Sequence, residues 1–148
     1  MLIPNMEIEE EVYPIRFIRR ELATDTGGPG TYRGGVSLET EVEILADCEF
    51  TMFGSRFEGT EPLGFAGGKP GGPSIFYVIR NGKKIKYPSK VGRVPLEKGD
   101  RIVMRPCGGA GLGNPKKRKR ELIERDLQLG YVSRKAAAKE YGYQPKSG

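Results

Sequence analysis

The chain has 148 residues, enough for one domain with its own core, and 36% of them are hydrophobic. Its net charge of +6 leaves a nucleic-acid partner open, and its 22 glycines and 11 prolines favour short elements separated by many turns. The sequence contains no histidine, which removes the commonest general base and the commonest metal ligand. Two cysteines, Cys48 and Cys107, fit a reduced compartment and exclude a disulfide-rich fold. We therefore do not expect this chain to catalyse a reaction alone.

The charges are distributed unevenly along the chain. Glu7–Glu11 makes the amino end acidic, whereas Lys116–Arg120 is an unbroken basic block. Such a block either binds phosphates or forms a solvated helix face. Because a helix start disfavours cations, we expect an acidic group of this chain or of a partner to offset the block. No segment is apolar over the length that a bilayer requires, and Met1 does not begin a signal-peptide pattern, so we expect a cytoplasmic location without membrane contact.

The first part of the chain predicts two strands. Tyr13–Leu22 alternates apolar and polar residues, with a phase slip at Ile18 that indicates a bulge or an edge strand. Val36–Asp47 places apolar residues on one face and glutamates on the other, which is typical of an antiparallel sheet with one wet face. We interpret these glutamates as solvated, since no histidine accompanies them to form a metal site.

The middle of the chain predicts a hairpin. Asn81-Gly82 is the strongest short turn signal in the sequence, and it follows the apolar strand Ile75–Arg80. The return strand Lys83–Tyr87 is basic, which favours a protected sheet edge. Two other strands are predicted on either side of this hairpin, one around Cys48, Phe50 and Met52 and one around Ile102 and Met104.

The carboxy-terminal part predicts two helices. Lys116–Leu129 carries apolar residues at helical spacing and a Glu121–Arg125 pair four residues apart, and Gly130 supplies its end. Ser133 is placed to cap a second helix that ends at Gly142. Both helices are short and polar, so they need to pack on a sheet or on another subunit.

These elements predict a mainly β fold of the α+β class. The sheet is expected to be antiparallel and sandwich-like, because its strands are short and alternate in polarity. We expect a β-rich domain over residues 1–113 and a helical hairpin over residues 114–148, packed on that domain or on a partner subunit.

Glycine-rich segments connect the strands and contain the candidate site. Pro106–Pro115 holds four glycines, then Asn114 as an N-cap and Pro115 as a first helical residue. The glycines serve either turn geometry and close packing, or an anion-binding corner whose unpaired N–H groups point outward. The second interpretation gives a set of ligand-binding candidates but no catalytic residue and no metal ligand: Gly108, Gly109, Gly111 and Gly113 through backbone amides, and Arg33 and Arg56 through charge.

The order and spacing of several motifs resemble one family. They are Glu11-Val12-Tyr13-Pro14, the loop Asp25–Gly35 with the sequence DTGGPGTYRGG, Ser55-Arg56, the loop Gly64–Gly71 with GFAGGKPG, Gly99-Asp100, and Gly108–Pro115 with GGAGLGNP. Together with the tail from Val132 to Gly142, this pattern is similar to the carboxy-terminal domain of the hydantoinase B/oxoprolinase family.

The resemblance implies part of an ATP-dependent enzyme that opens cyclic amides such as hydantoins or 5-oxoproline. It implies a structural or site-completing role for this chain within a complex, as a subunit or as a fragment of a longer B-type protein. The implied partners are an A-type subunit that uses ATP and the remainder of the B-type subunit. ATP and a divalent metal are then expected in those partners, with none bound by this chain alone.

Two alternatives remain open at this point. The family also resembles subunits of ATP-dependent ketone carboxylases that act on acetone or acetophenone, so the substrate class is not fixed. A basic nucleic-acid-binding module using Lys116–Arg120 is the alternative from another class, although no aromatic residues are interleaved with the block as a stacking platform would require.

Overall fold

The computed structural model describes residues 5–57 and 59–144, and its main feature is antiparallel β-structure. This confirms the predicted fold class. The helices are α1 (Met6–Val12), α2 (Arg120–Gln128) and α3 (Arg134–Ala136), which continues as a π-helical stretch over Ala137–Tyr141. The strands are β1 (Ile15–Ala23), β2 (Ser37–Ile44), β3 (Cys48–Phe53), β4 (Ile75–Arg80), β5 (Lys83–Lys86), β6 (Lys90–Leu96) and β7 (Arg101–Arg105).

The strands form two sheets. Five of them lie in the order β1-β2-β7-β4-β5, and β3 pairs with β6 in a separate two-stranded sheet. β7 is central and antiparallel to both neighbours, with Val42 opposite Ile102 and Ile102 opposite Val78. β1 and β5 are the edge strands, as the phase slip at Ile18 and the basic composition of β5 predict.

The core of the sheets is apolar and sandwich-like. The ring of Phe50 on β3 stacks on the ring of Phe76 on β4, with centroids 5.1 Å apart, so the two sheets contribute side chains to one core. The buried hydrophobic residues of the strands are Val42, Ile44, Phe76, Val78, Val94, Leu96, Ile102 and Val103.

One hairpin follows its prediction closely. Asn81 and Gly82 both adopt positive φ, 50° and 73°, as a two-residue turn between β4 and β5 requires. By contrast, α1 and β6 were not predicted. Pro95 and Gly92 interrupt the strand pattern of β6, and α1 starts from a cap in which the Asn5 side chain accepts a hydrogen bond from the Glu7 amide.

The glutamates of β2 correct the prediction of a solvated strand face. Glu41 is buried and accepts from both Arg19 and Arg101, at 2.9 Å in each case. Glu39 accepts from Arg19 at 2.6 Å and from Arg105 at 3.4 Å. The arginines come from the neighbouring strands β1 and β7, so cross-strand ion pairing replaces water on this face.

The helices of the carboxy-terminal part begin and end mostly at the predicted residues. Asn114 accepts from the Lys116 amide, although it starts a 3₁₀ turn, Pro115–Lys117, rather than α2 itself. Ser133 caps α3 by accepting from the Ala136 amide, and Gly130 and Gly142 adopt positive φ where the helices end. In place of the predicted Glu121–Arg125 pair, the structure has an ion pair between Arg120 and Glu124.

The chain divides into two compact units, each built from separated parts of the sequence. The first contains the described residues up to Glu21, then Glu39–Ser55 and Ile75–Arg105. The second contains Leu22–Leu38, Arg56–Ser74 and the described residues from Pro106 onward. The glycine-rich loops belong to the same unit as the helices, and the domain boundary after residue 113 stays a prediction.

No helix within residues 5–57 and 59–144 is long and apolar enough to span a membrane.

Candidate functional site

Three glycine-rich segments of the second unit pack against one another through their backbones. We call residues 26–35, 64–72 and 106–114 the glycine cluster. Its segments exchange hydrogen bonds: the Gly28 amide donates to the Gly109 carbonyl at 2.8 Å, and the Lys69 amide donates to the Pro29 carbonyl at 2.7 Å. Every segment is thus paired with the other two, and the cluster is an ordered part of the fold rather than a set of loose loops.

The four candidate glycines use their amides inside this cluster. At 2.9 Å in each case, the N–H groups of Gly108, Gly109, Gly111 and Gly113 donate to the carbonyls of Gly72, Gly35, Lys69 and Phe65 respectively. This corrects the expectation that unpaired N–H groups point outward at the corner. The geometry agrees with the alternative of close packing, and a ligand role for these glycines stays a prediction.

The absence of side chains is what permits this packing. A Cβ atom on Gly108 would lie 1.7 Å from the Thr26 carbonyl oxygen, and one on Gly111 would lie 2.1 Å from that of Pro29. These contacts are with backbone atoms, which cannot rotate away as a side chain can. Any residue larger than glycine would therefore force the segments apart.

Arg33 leaves the cluster to meet a buried carboxylate. Its Nε and Nη2 donate to the two carboxylate oxygens of Asp126 on α2, at 3.1 and 3.2 Å. Arg118 donates to Asp126 as well, at 2.8 Å, and to the Thr31 carbonyl at 3.1 Å. All three charged side chains are nearly excluded from solvent. The charge of Arg33 is therefore paired with a carboxylate of the same chain, and a ligand role for Arg33 stays a prediction.

Arg56 lies elsewhere in the second unit and is exposed. Its backbone adopts a positive φ of 61°, and its carbonyl accepts from the Ser74 amide at 2.8 Å. Among the described residues its side chain forms no ion pair and no contact with the group around Asp126. The two candidate arginines thus have different surroundings, because Arg33 is buried against Asp126 and Arg56 is exposed.

The basic block is divided by the fold. Arg118 turns inward to Asp126, which supplies the acidic group expected to offset the block. Lys116 donates to the Lys139 carbonyl at 3.4 Å, while Lys117 and Lys119 are exposed. A continuous basic surface of five side chains is not formed, and this removes the main support for the nucleic-acid alternative.

A groove of about 530 Å³ runs along the second unit beside the last helix. Two of its lining residues, Lys69 and Glu140, form an ion pair in which Lys69 Nζ lies 2.5 Å from Glu140 Oε2. The Tyr141 hydroxyl is buried without a hydrogen-bond partner among the described residues, and burial raises its pKa. Groove residues include Asp25, Gly27, Pro29, Lys69, Pro70, Ser133, Lys135, Lys139, Glu140 and Tyr141.

The described residues contain no clustered metal ligands, and their two thiols are free. Within the described residues, no His, Cys, Asp or Glu side chains come together as a metal-binding group. Cys48 and Cys107 are free and partly buried, and burial raises the pKa of the Cys48 thiol, which makes that thiol a poor nucleophile.

Sequence reasoning missed Arg118 and Asp126 as members of the candidate site. A signal for Asp126 was present, because it lies three residues after Ile123 on the apolar face of α2, where an unpaired carboxylate would be costly. No comparable signal marked Arg118, whose inward direction depends on where Asp126 lies in the fold.

Comparison with known proteins identifies the sequence family. The family model for hydantoinase B/oxoprolinase matches residues 1–115. An uncharacterized protein of Methanocaldococcus jannaschii is 34% identical over 136 residues, which cover 92% of this chain and 24% of that protein. The putative B-type subunit of a D-/L-hydantoinase from a Pseudomonas species is 33% identical over 142 residues, covering 94% of this chain and 24% of the relative.

Solved structures share the fold. The ATP-dependent caprolactamase of Pseudomonas jessenii has a TM-score of 0.82 and 27% identity, covering 97% of this chain and 26% of that structure. Nucleotide-free acetone carboxylase also has a TM-score of 0.82, at 21% identity, covering 98% of this chain and 24% of that structure. This chain thus spans about a quarter of the length of the relatives it matches. On the match over residues 1–115, this chain belongs to the hydantoinase B/oxoprolinase family.

Proposed function

We propose that this chain is part of the B-type component of an ATP-dependent cyclic-amide hydrolase, of the hydantoinase or 5-oxoprolinase type. The match of the family model over residues 1–115 carries the proposal. The relatives named as a hydantoinase component, a caprolactamase component and 5-oxoprolinases support a lactam or hydantoin ring as the substrate class.

The role of the chain in that enzyme is structural or site-completing. The glycine cluster supports this role, because its backbone-to-backbone packing holds the corner at 106–114 rigidly without using a catalytic side chain. Arg33 and Arg118 neutralise Asp126 beneath it and fix α2 to the same unit. In this assembly, ATP and a divalent metal belong to the A-type subunit and the remainder of the B-type subunit.

Purification of the complex from the source cell tests the assignment. The chain is captured under native conditions, and co-purifying polypeptides are identified by mass spectrometry. The eluate is then assayed for ATP hydrolysis that depends on added hydantoin, 5-oxoproline or caprolactam. We expect A-type and B-type polypeptides together with amide-dependent ATP hydrolysis. Capture of nucleic acid, or of no family polypeptide, would contradict the proposal.

Glycine substitutions test the role of the cluster within the captured enzyme. Replacing Gly109 and Gly111 by valine should abolish amide-dependent ATP hydrolysis, because the new side chains collide with backbone at Gly35 and Pro29. Gly35→Ala is the matched control, since a Cβ there meets no atom within 4 Å. Full activity of the double valine variant would show that the rigid corner is not needed.

A component of a ketone carboxylase is the second candidate. The shared fold with acetone carboxylase favours it, although at 21% identity that likeness concerns the fold alone. The same preparation decides between the two candidates: acetone- and bicarbonate-dependent ATP hydrolysis without any response to the cyclic amides would select the carboxylase.

A further inference from the structure

An apolar patch lies on the surface of the second unit, where three segments of the glycine cluster run side by side. Tyr32 and Leu112 form an antiparallel bridge and exchange two backbone hydrogen bonds of 2.9 Å. Phe65 forms a parallel bridge with the other side of Leu112. Directly opposed residues of paired strands point to the same face, so Leu112 lies between the two aromatic rings. We call Tyr32, Leu112 and Phe65 the aromatic patch.

The aromatic patch is strongly exposed. Tyr32 is 66%, Phe65 75% and Leu112 44% accessible, and Leu63, two residues before Phe65, is 85% accessible. With aromatic side chains of about 150–250 Å² each, the two rings and two leucines approach the few hundred Å² that mark interaction sites on monomers. The underlying backbone is fixed by hydrogen bonds, so the patch is preorganised and binding costs little ordering of the main chain.

The basic block begins beside the patch. The Thr31 hydroxyl donates to the Asn114 carbonyl at 2.7 Å, which brings the start of the basic block next to Tyr32. The block contributes the exposed lysines Lys117 and Lys119, whereas the Lys116 amine donates to the Lys139 carbonyl. A protein surface that fits this site therefore has an apolar centre and an acidic rim.

We propose that the aromatic patch is a docking surface for a segment of the B-type polypeptide with an apolar centre and an acidic rim. This inference rests on the proposed function, because the relatives carry about three quarters of their length beyond the part matched here. Tyr32 and Phe65 are the anchors, since central aromatic residues carry most of the binding energy in such interfaces. The exposed lysines set the orientation of the segment through its carboxylates.

The test uses the full chain captured natively from the source cell, as wild type and in two variants. The double variant Tyr32→Ser/Phe65→Ser removes both anchors. Phe53→Ser is the matched control, because Phe53 is an exposed aromatic residue, 84% accessible, on β3 of the first unit. We expect the double variant to lose B-type polypeptide more than tenfold by quantitative mass spectrometry, and the control to keep it. Unchanged circular dichroism of both variants establishes that they fold.

A photoreactive benzophenone side chain in place of Phe65 identifies the contacted segment. We expect a cross-link to a B-type peptide that contains apolar and acidic residues, and none from the same group in place of Phe53. A cross-link to a second copy of this chain, or equal capture by the double variant and wild type, would overturn the inference and leave the proposed function intact. If wild-type chain captures no family polypeptide, the proposed function and this inference both fall.

Discussion

At the scale of single residues, Asp126 is the centre of charge in the second unit. Its carboxylate accepts hydrogen bonds from two guanidinium groups, those of Arg33 and Arg118. Both guanidinium groups are nearly excluded from solvent, so water could not take the place of the carboxylate. A buried pair of this kind contributes little over an apolar core, but removing one partner leaves buried charge without compensation. Removing Asp126 should therefore reduce the free energy of unfolding by more than the intact ion pairs contribute to it.

Asp126→Asn should destabilise the chain by about 3–5 kcal/mol, because two guanidinium groups would remain buried without their carboxylate. Urea unfolding followed by circular dichroism measures the change. Glu124→Gln is the control, since its ion pair with Arg120 is exposed and should contribute less than about 1 kcal/mol. A cost for Asp126→Asn as small as that of the control would mean that water reaches both arginines.

At the scale of elements, the turn between β6 and β7 is held by a second buried carboxylate. Asp100 accepts from Nε and Nη2 of Arg80 on β4 and, at 2.9 Å, from the Glu97 amide. The hydrogen bonds from Arg80 lower the pKa of Asp100 below its ordinary value of 3.8. The turn thus joins β7, the central strand, to the end of β4 through charge as well as through the sheet.

This lowered pKa makes the free energy of unfolding depend on pH in the acidic range. Because the folded pKa is below the unfolded one, the contribution of Asp100 is complete above pH 3.8 and is lost as the pH falls through the folded pKa. Asp100→Asn should flatten that part of the stability profile, measured by urea unfolding from pH 5 downward. Glu49→Gln is the control, since its ion pair with Arg93 is exposed and its loss should change the free energy of unfolding by less than about 1 kcal/mol. An equal slope in wild type and Asp100→Asn would contradict this account.

At the scale of the whole molecule, the chain is similar to one part of longer relatives. It spans about a quarter of its relatives' length, and the proposed function places the rest of the enzyme in other polypeptides. We expect the isolated chain to show no amide-dependent ATP hydrolysis, while the complex captured from the source cell does. Phosphate release with and without added cyclic amide measures this difference. Amide-dependent turnover by the isolated chain would contradict the proposed role.

The sequence by itself determined the turns and helix ends, whose signals lie within a few residues of one another. Asn81-Gly82 required positive φ at both turn residues, and Ser133 and Gly142 marked a helix start and end, because caps and turns depend on residues within one turn of the chain. The ordered motifs also determined the family.

The tertiary structure decided which distant groups meet. The sequence predicted solvated glutamates on β2, but the structure places arginines of β1 and β7 beside them. The glycine amides of the corner read as free until the loops 26–35 and 64–72 supplied their acceptors. Arg118 read as part of a basic surface until α2 brought Asp126 to it. In each case the partner lies on another element, and pairing across elements is fixed by packing, which no local pattern of residues records.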